Sequence, residues 1–108
     1  MRLALLFLGT TIFAAEFRVG AGLENNQVYG RTIQVGGSAE GLAGKQIELR
    51  IVFKRRPVKG WDWRPIATAG PLTWTGELTS LPPGGPYRIE FRAPGAVPAV
   101  FDGVRIRD

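Results

Sequence analysis

Between Leu81 and Tyr87 the sequence reads Leu-Pro-Pro-Gly-Gly-Pro-Tyr. No helix passes through such a run, because proline lacks the backbone N–H and glycine is a poor helix former. Before it, Trp74 and Leu78 lie on one side of a period-two pattern with Gly76 between them, while Thr73, Thr75 and Glu77 face away. After it, Ile89 begins a second alternation that puts Phe91 on the same face. Leu72 to Arg92 therefore reads as two strands and a rigid corner, with Leu81 to Pro86 as the turn. The rest of the chain has to supply strands that pair with it.

The best of these is Lys45 to Lys54. Ile47, Leu49, Ile51 and Phe53 fall on one face, and Gln46, Glu48, Arg50 and Lys54 on the other, with Val52 the exception. A helix would scatter those four apolar residues, whereas a strand lines them up against a core. Ile33 and Val35 mark a shorter strand that Gly36 and Gly37 are expected to break, and Ala39 to Gly44 reads as a loop. Lys54 to Gly60 reads as a basic, proline-containing loop. Trp61 to Thr68 then resumes alternation, with Trp61 and Trp63 on a shared face, and Pro65 marks an edge strand because it cannot donate to a ladder. Val28 and Tyr29 suit a sheet edge, and Ala99 to Phe101 and Val104 to Arg107 close the series. Turn signals every 8 to 12 residues or so, with no credible helix after the first segment, predict an all-β fold. The expected form is an antiparallel β-sandwich of immunoglobulin-like or jelly-roll type with six to seven short strands.

Residues 1–15 differ from the rest. One arginine, an apolar run from Leu3 to Phe13 and the small pair Ala14 and Ala15 have the layout of a secretory signal peptide, and the run is too short to span a bilayer. The expected organisation is a signal at 1–15 and a single sandwich at 16–108, secreted or periplasmic, with no membrane association once the signal is removed. Loss of Arg2 would lower the formal charge from +5 to +4. The chain has no cysteine, so an exported domain of this size must hold by its core or by a neighbour.

Composition also removes most chemistry. With no histidine, no cysteine and only Ser38 and Ser80, no Ser-His-Asp or Cys-His arrangement can form, and the acids are scattered singly rather than set as metal ligands. No cofactor, no metal and no catalysis are expected of this chain. Nucleic-acid binding is not expected either: Lys54, Arg55, Arg56 and Lys59 form the one basic cluster, while Arg50, Arg88, Arg92, Arg105 and Arg107 alternate with apolar residues as on a solvated sheet face. The candidate ligand or interdomain contacts are Trp61, Trp63, Arg64 and Tyr87. Trp63 and Trp74 are expected in the core, Trp61 stands between core and surface, and Tyr87 suits a tyrosine corner whose hydroxyl bonds nearby backbone.

Several of these motifs together resemble a known family. Gln27-Val28-Tyr29-Gly30-Arg31, then Trp61-Asp62-Trp63-Arg64-Pro65-Ile66, Trp74-Thr75-Gly76-Glu77-Leu78 and Leu81-Pro82-Pro83-Gly84-Gly85-Pro86-Tyr87 are similar to the N-terminal β-sandwich of secreted sialate O-acetylesterase-like proteins. The resemblance covers residues 24–108. It implies an accessory sandwich preceding an SGNH-type serine hydrolase domain that removes acetyl groups from sugars. The family's Gly-Gln-Ser-Asn-like nucleophile block is absent, and its catalytic serine and histidine have no counterpart here. No catalytic residue is therefore carried over, and the chain reads as a fragment or stand-alone relative of that domain. The partners implied are a hydrolase domain or a carbohydrate. The alternative is a free-standing secreted glycan-binding or adhesion module that uses Trp61 and the basic loop.

Overall fold

The computed structural model describes residues 15–108, and the signal-peptide reading of residues 1–15 lies outside them except for Ala15. The described residues form nine strands and no helix: β1 (Glu16–Phe17), β2 (Val28–Tyr29), β3 (Ile33–Glu40), β4 (Gln46–Phe53), β5 (Arg56–Pro57), β6 (Arg64–Thr68), β7 (Thr73–Leu78), β8 (Gly84–Arg92) and β9 (Ala99–Ile106). The count exceeds the expected six to seven because β1, β2 and β5 are two-residue strands, too short to leave a period in the sequence.

Two sheets result, one in the order β1-β3-β7 and one in the order β2-β9-β8-β4, with β5 and β6 sharing the far edge of β4. All pairings are antiparallel except β2 with β9. The chain crosses between sheets at every connection from β1 to β4 and again from β6 to β7 and from β7 to β8, giving an all-β, sandwich-like fold. Alternation decides what faces inward. Ile33, Val35, Trp74 and Leu78 come from one sheet, and Ile47, Leu49, Ile51, Tyr87, Ile89, Phe91, Val104 and Ile106 from the other; all are buried. Aromatic rings link the sheets: Phe17 to Trp74 at 5.5 Å between centroids, Trp74 to Phe91 at 5.9 Å, and Phe91 to Phe101 at 5.9 Å.

Several local expectations are corrected. Gly36 and Gly37 do not break β3, which runs through them to Glu40. They are small because backbone lies against them: a Cβ on Gly37 would overlap the Arg18 carbonyl, and one on Gly36 would sit 2.9 Å from the Trp74 carbonyl oxygen. The segment after β1 follows β3 by hydrogen bonds from Arg18 N to Ser38 O (3.0 Å) and from Gly20 N to Gly36 O (2.9 Å). The strand after the corner begins at Gly84 rather than Ile89, so Tyr87 joins Ile89 and Phe91 on the inner face.

The basic stretch from Lys54 to Gly60 is not a loop throughout. Phe53 pairs with Arg56 and Val52 with Pro57, leaving Lys54 and Arg55 as a two-residue hairpin turn with φ of 51° and 73°. The chain then stays against β4: Val58 N donates to Ile51 O (2.8 Å), a turn closed by Trp61 N to Val58 O (2.8 Å) pushes Lys59 and Gly60 outward, and Ile51 N donates to Trp61 O (2.9 Å). Strand β6 therefore starts at Arg64, and as expected it is an edge strand, paired with β4 alone across a register shift at Ile47/Glu48.

Candidate functional site

The outer face of the larger sheet gathers most of the ordered charge. On β4 the outward residues are Glu48, Arg50 and Val52, and on β8 they are Arg88, Glu90 and Arg92. The antiparallel register sets Glu48 opposite Arg92, Arg50 opposite Glu90 and Val52 opposite Arg88. Opposite charges in directly facing positions support a sheet, and here they are hydrogen bonded: Arg92 Nε donates to Glu48 Oε1 (2.7 Å), Arg50 Nε to Glu90 Oε1 (2.8 Å) and Arg88 Nε to Glu90 Oε2 (2.7 Å). Asp62 lies 3.9 Å from Arg50 and Asp102 lies 3.7 Å from Arg88, extending the network to both neighbouring segments.

Glu90 is its hub, with only 12% of its side chain exposed. Burial works against its charge, but the hydrogen bonds from Arg88 and Arg50, with their two positive charges, outweigh it and hold the carboxyl below its ordinary pKa. A carboxylate with a depressed folded-state pKa adds stability above its unfolded pKa of about 4.3, and that stability is lost as pH falls through the folded value. Urea midpoints measured from pH 5 downward should therefore fall less steeply for Glu90→Gln than for the parent. Parallel curves would remove Glu90 from the account of acid sensitivity.

The four sequence-selected candidates do not converge. Trp63 and Trp61 lie on different faces because the chain between them is bent, with Asp62 Oδ1 accepting from the Trp63 backbone N–H at 2.9 Å. Trp61 turns inward and is 9% exposed, and the Arg64 guanidinium covers its ring at 4.3 Å while donating through Nη1 to Gly60 O at 3.1 Å. Trp63 turns outward and is half-buried, with the guanidinium carbons of Arg50 and Arg92 at 4.7 and 4.0 Å from its ring centre. The expectation for Trp63 is corrected, since it lies on the charged face rather than in the core, while Trp61, which the sequence left between core and surface, belongs to the core. Tyr87 is buried; its hydroxyl donates to Pro83 O at 2.9 Å, and its ring meets Phe53 edge-on at 5.7 Å. That is the tyrosine corner expected from sequence, and burial raises the phenol's pKa. Both Trp61 and Tyr87 are committed to the fold.

Part of the basic cluster meets residues that the sequence did not connect with it where the β4–β5 hairpin adjoins β8. Two shallow hollows of about 320 and 300 Å³ share Val52, Arg55 and Arg88. Pro57 lines the first; Lys54 and Pro86 line the second. In the sequence Arg88 alternates with apolar residues and Val52 is the exception to its strand's pattern, and their meeting with Arg55 depends on a hairpin the sequence does not announce.

Among the described residues the two serines lie apart. Ser38 sits near the end of β3 paired with the start of β7, while Ser80 follows the opposite end of that ladder, where Ile33 pairs with Leu78. Among the described residues no three His, Cys, Asp or Glu side chains come together as a metal site, and no helix is long and apolar enough to cross a membrane. No family model matches the chain, and no curated protein matches it significantly.

Proposed function

We propose that this chain is a noncatalytic accessory β-sandwich that works beside a secreted carbohydrate O-acetylesterase of the sialate O-acetylesterase-like kind, flanking or supporting its SGNH-type hydrolase domain. One observation carries the reading. The residues behind the resemblance form one architectural unit, in which Trp74 packs between Phe17 and Phe91 and the Leu81 to Tyr87 corner is closed by the Tyr87 hydroxyl on Pro83. They shape a support and leave its outer face covered with paired charges. The two serines at opposite ends of one ladder, in a chain without histidine, agree with an accessory role. The setting that goes with this reading is secreted or periplasmic, with chemistry supplied by the neighbouring domain.

Two measurements test it. Coding DNA read past the Asp108 codon, together with the adjacent genes, should encode a serine hydrolase opening on a Gly-Gln-Ser-Asn-like block; its absence from both places sinks the proposal. The purified chain should give no turnover of p-nitrophenyl acetate above a buffer blank. Turnover that survives Ser38→Ala and Ser80→Ala together would reveal chemistry outside this account.

A further inference from the structure

We propose that the trough between the β4–β5 hairpin and β8 binds a linear anionic polysaccharide, with Arg55 as its main anion contact. This goes beyond the accessory reading and does not depend on a neighbouring hydrolase.

The first observation is the turn itself. Two-residue hairpin turns with positive φ at both positions are ordinarily built from Asn-Gly or similar pairs, because a Cβ is disfavoured there. Here the positions hold Lys54 and Arg55, at φ 51° and 73°. Backbone held in such a region by residues unsuited to it is a pointer to function when the side chains themselves have work to do. These side chains stay out of the ion-pair network: among the described residues Lys54, Arg55, Arg56 and Lys59 form no ion pair, in contrast to Arg50, Arg88 and Arg92. The Lys54 ammonium rests 5.2 Å from the centre of the Phe53 ring and remains exposed.

The second observation is the shape beside the turn. The paired hollows form a trough whose apolar lining is Val52, Pro57, Pro86 and the largely buried Tyr87, with Lys54, Arg55 and Arg88 along it. Apolar lining and cationic wall match a sugar ring that presents C–H groups on one side and a carboxylate or sulfate at its rim. The free guanidinium of Arg55 can take such a group through two parallel N–H donors. Glu90 and Asp102 also border the trough, but their charges face Arg50 and Arg88. A chain of repeating anions suits the site because Arg55 and Arg88 border both hollows and Lys54 borders the second, so cations recur along the trough. Single-stranded nucleic acid fits less well, since recognition of bases calls for exposed aromatic faces. Here Tyr87 is buried, Phe53 is half-buried beside Lys54, and Trp63 is covered by two arginines.

The full purified chain should be titrated with heparin and with polygalacturonate, with dextran as the uncharged counterpart. Binding to at least one polyanion and none to dextran is expected. Arg55→Glu should weaken it by at least about tenfold, the size of one lost charge-assisted contact. Arg55→Gly should weaken it too while leaving the melting temperature equal or higher, because glycine accepts the turn's φ. Arg18→Glu, an equal charge change on the smaller sheet, should have little effect. The proposal is overturned by no binding to either polyanion at low salt, by equal losses in Arg55→Glu and Arg18→Glu, or by full affinity in Arg55→Gly. It is equally overturned if DNA or vesicles rich in anionic lipid bind more tightly than both polysaccharides.

Discussion

Gly85→Val is expected to lower the melting temperature of the domain sharply. Gly85 has φ of 115°, a conformation that essentially only glycine adopts, and a Cβ built there would lie 2.7 Å from the Val104 carbonyl oxygen and 3.1 Å from the Tyr87 nitrogen. Both neighbours are backbone atoms, and moving them means moving β9 or the start of β8. Strain and overlap together should cost on the order of 3–5 kcal/mol. A domain of this size has about 5–15 kcal/mol in total, so a loss of this size is a large part of it. Circular dichroism melts of the parent and Gly85→Val give the result directly, and an unchanged melting temperature would show that the corner does not hold β8 and β9 together.

Phe91→Ala should be comparably damaging, for a different reason. Phe91 is fully buried on β8 and touches both Trp74 of the facing sheet and Phe101 of β9, so its ring is where the two layers meet. Removing it opens a cavity lined by large groups anchored in separate strands, which can collapse only partly; the expected loss is about 3–5 kcal/mol. Urea unfolding of Phe91→Ala should show a sharply lowered midpoint, whereas Phe91→Leu, which keeps most of the volume, should fall between it and the parent. A loss below about 1 kcal/mol for the alanine variant would mean that the core is less closely packed than its burial indicates.

What could be read from the sequence depended on whether a residue's role was decided locally. Strand β4 was legible because uninterrupted alternation of Ile47, Leu49, Ile51 and Phe53 leaves one way to bury them, and the first three are fully buried. Tyr87 was legible because a tyrosine after a rigid proline-glycine run has backbone within reach of its hydroxyl. Trp61 and Trp63 were not. Their two-residue spacing means a common face only in a pleated strand, and the bend at Asp62 and the outward turn at Lys59 and Gly60 remove the pleat. Gly36 and Gly37 looked like a break because their small size serves backbone on neighbouring segments, which no local pattern records. The trough was hidden for the same reason twice over: Lys54 and Arg55 lack the usual turn chemistry, and Arg88 comes from a strand more than thirty residues later in the chain.

The hairpin has a kinetic side as well. Its two strands are the closest in sequence of any pair in the sandwich, so it is the cheapest contact to form by loop closure. Yet it carries the turn residues least willing to adopt the needed backbone. At the other extreme, β2 meets β9 through Val28 and Arg105, and the pair cannot form until almost the whole domain has been synthesised. The domain's most local turn is therefore a poor starting point, and most of the other pairings join strands far apart in sequence. That places the sandwich among slow folders, with times of roughly milliseconds to seconds.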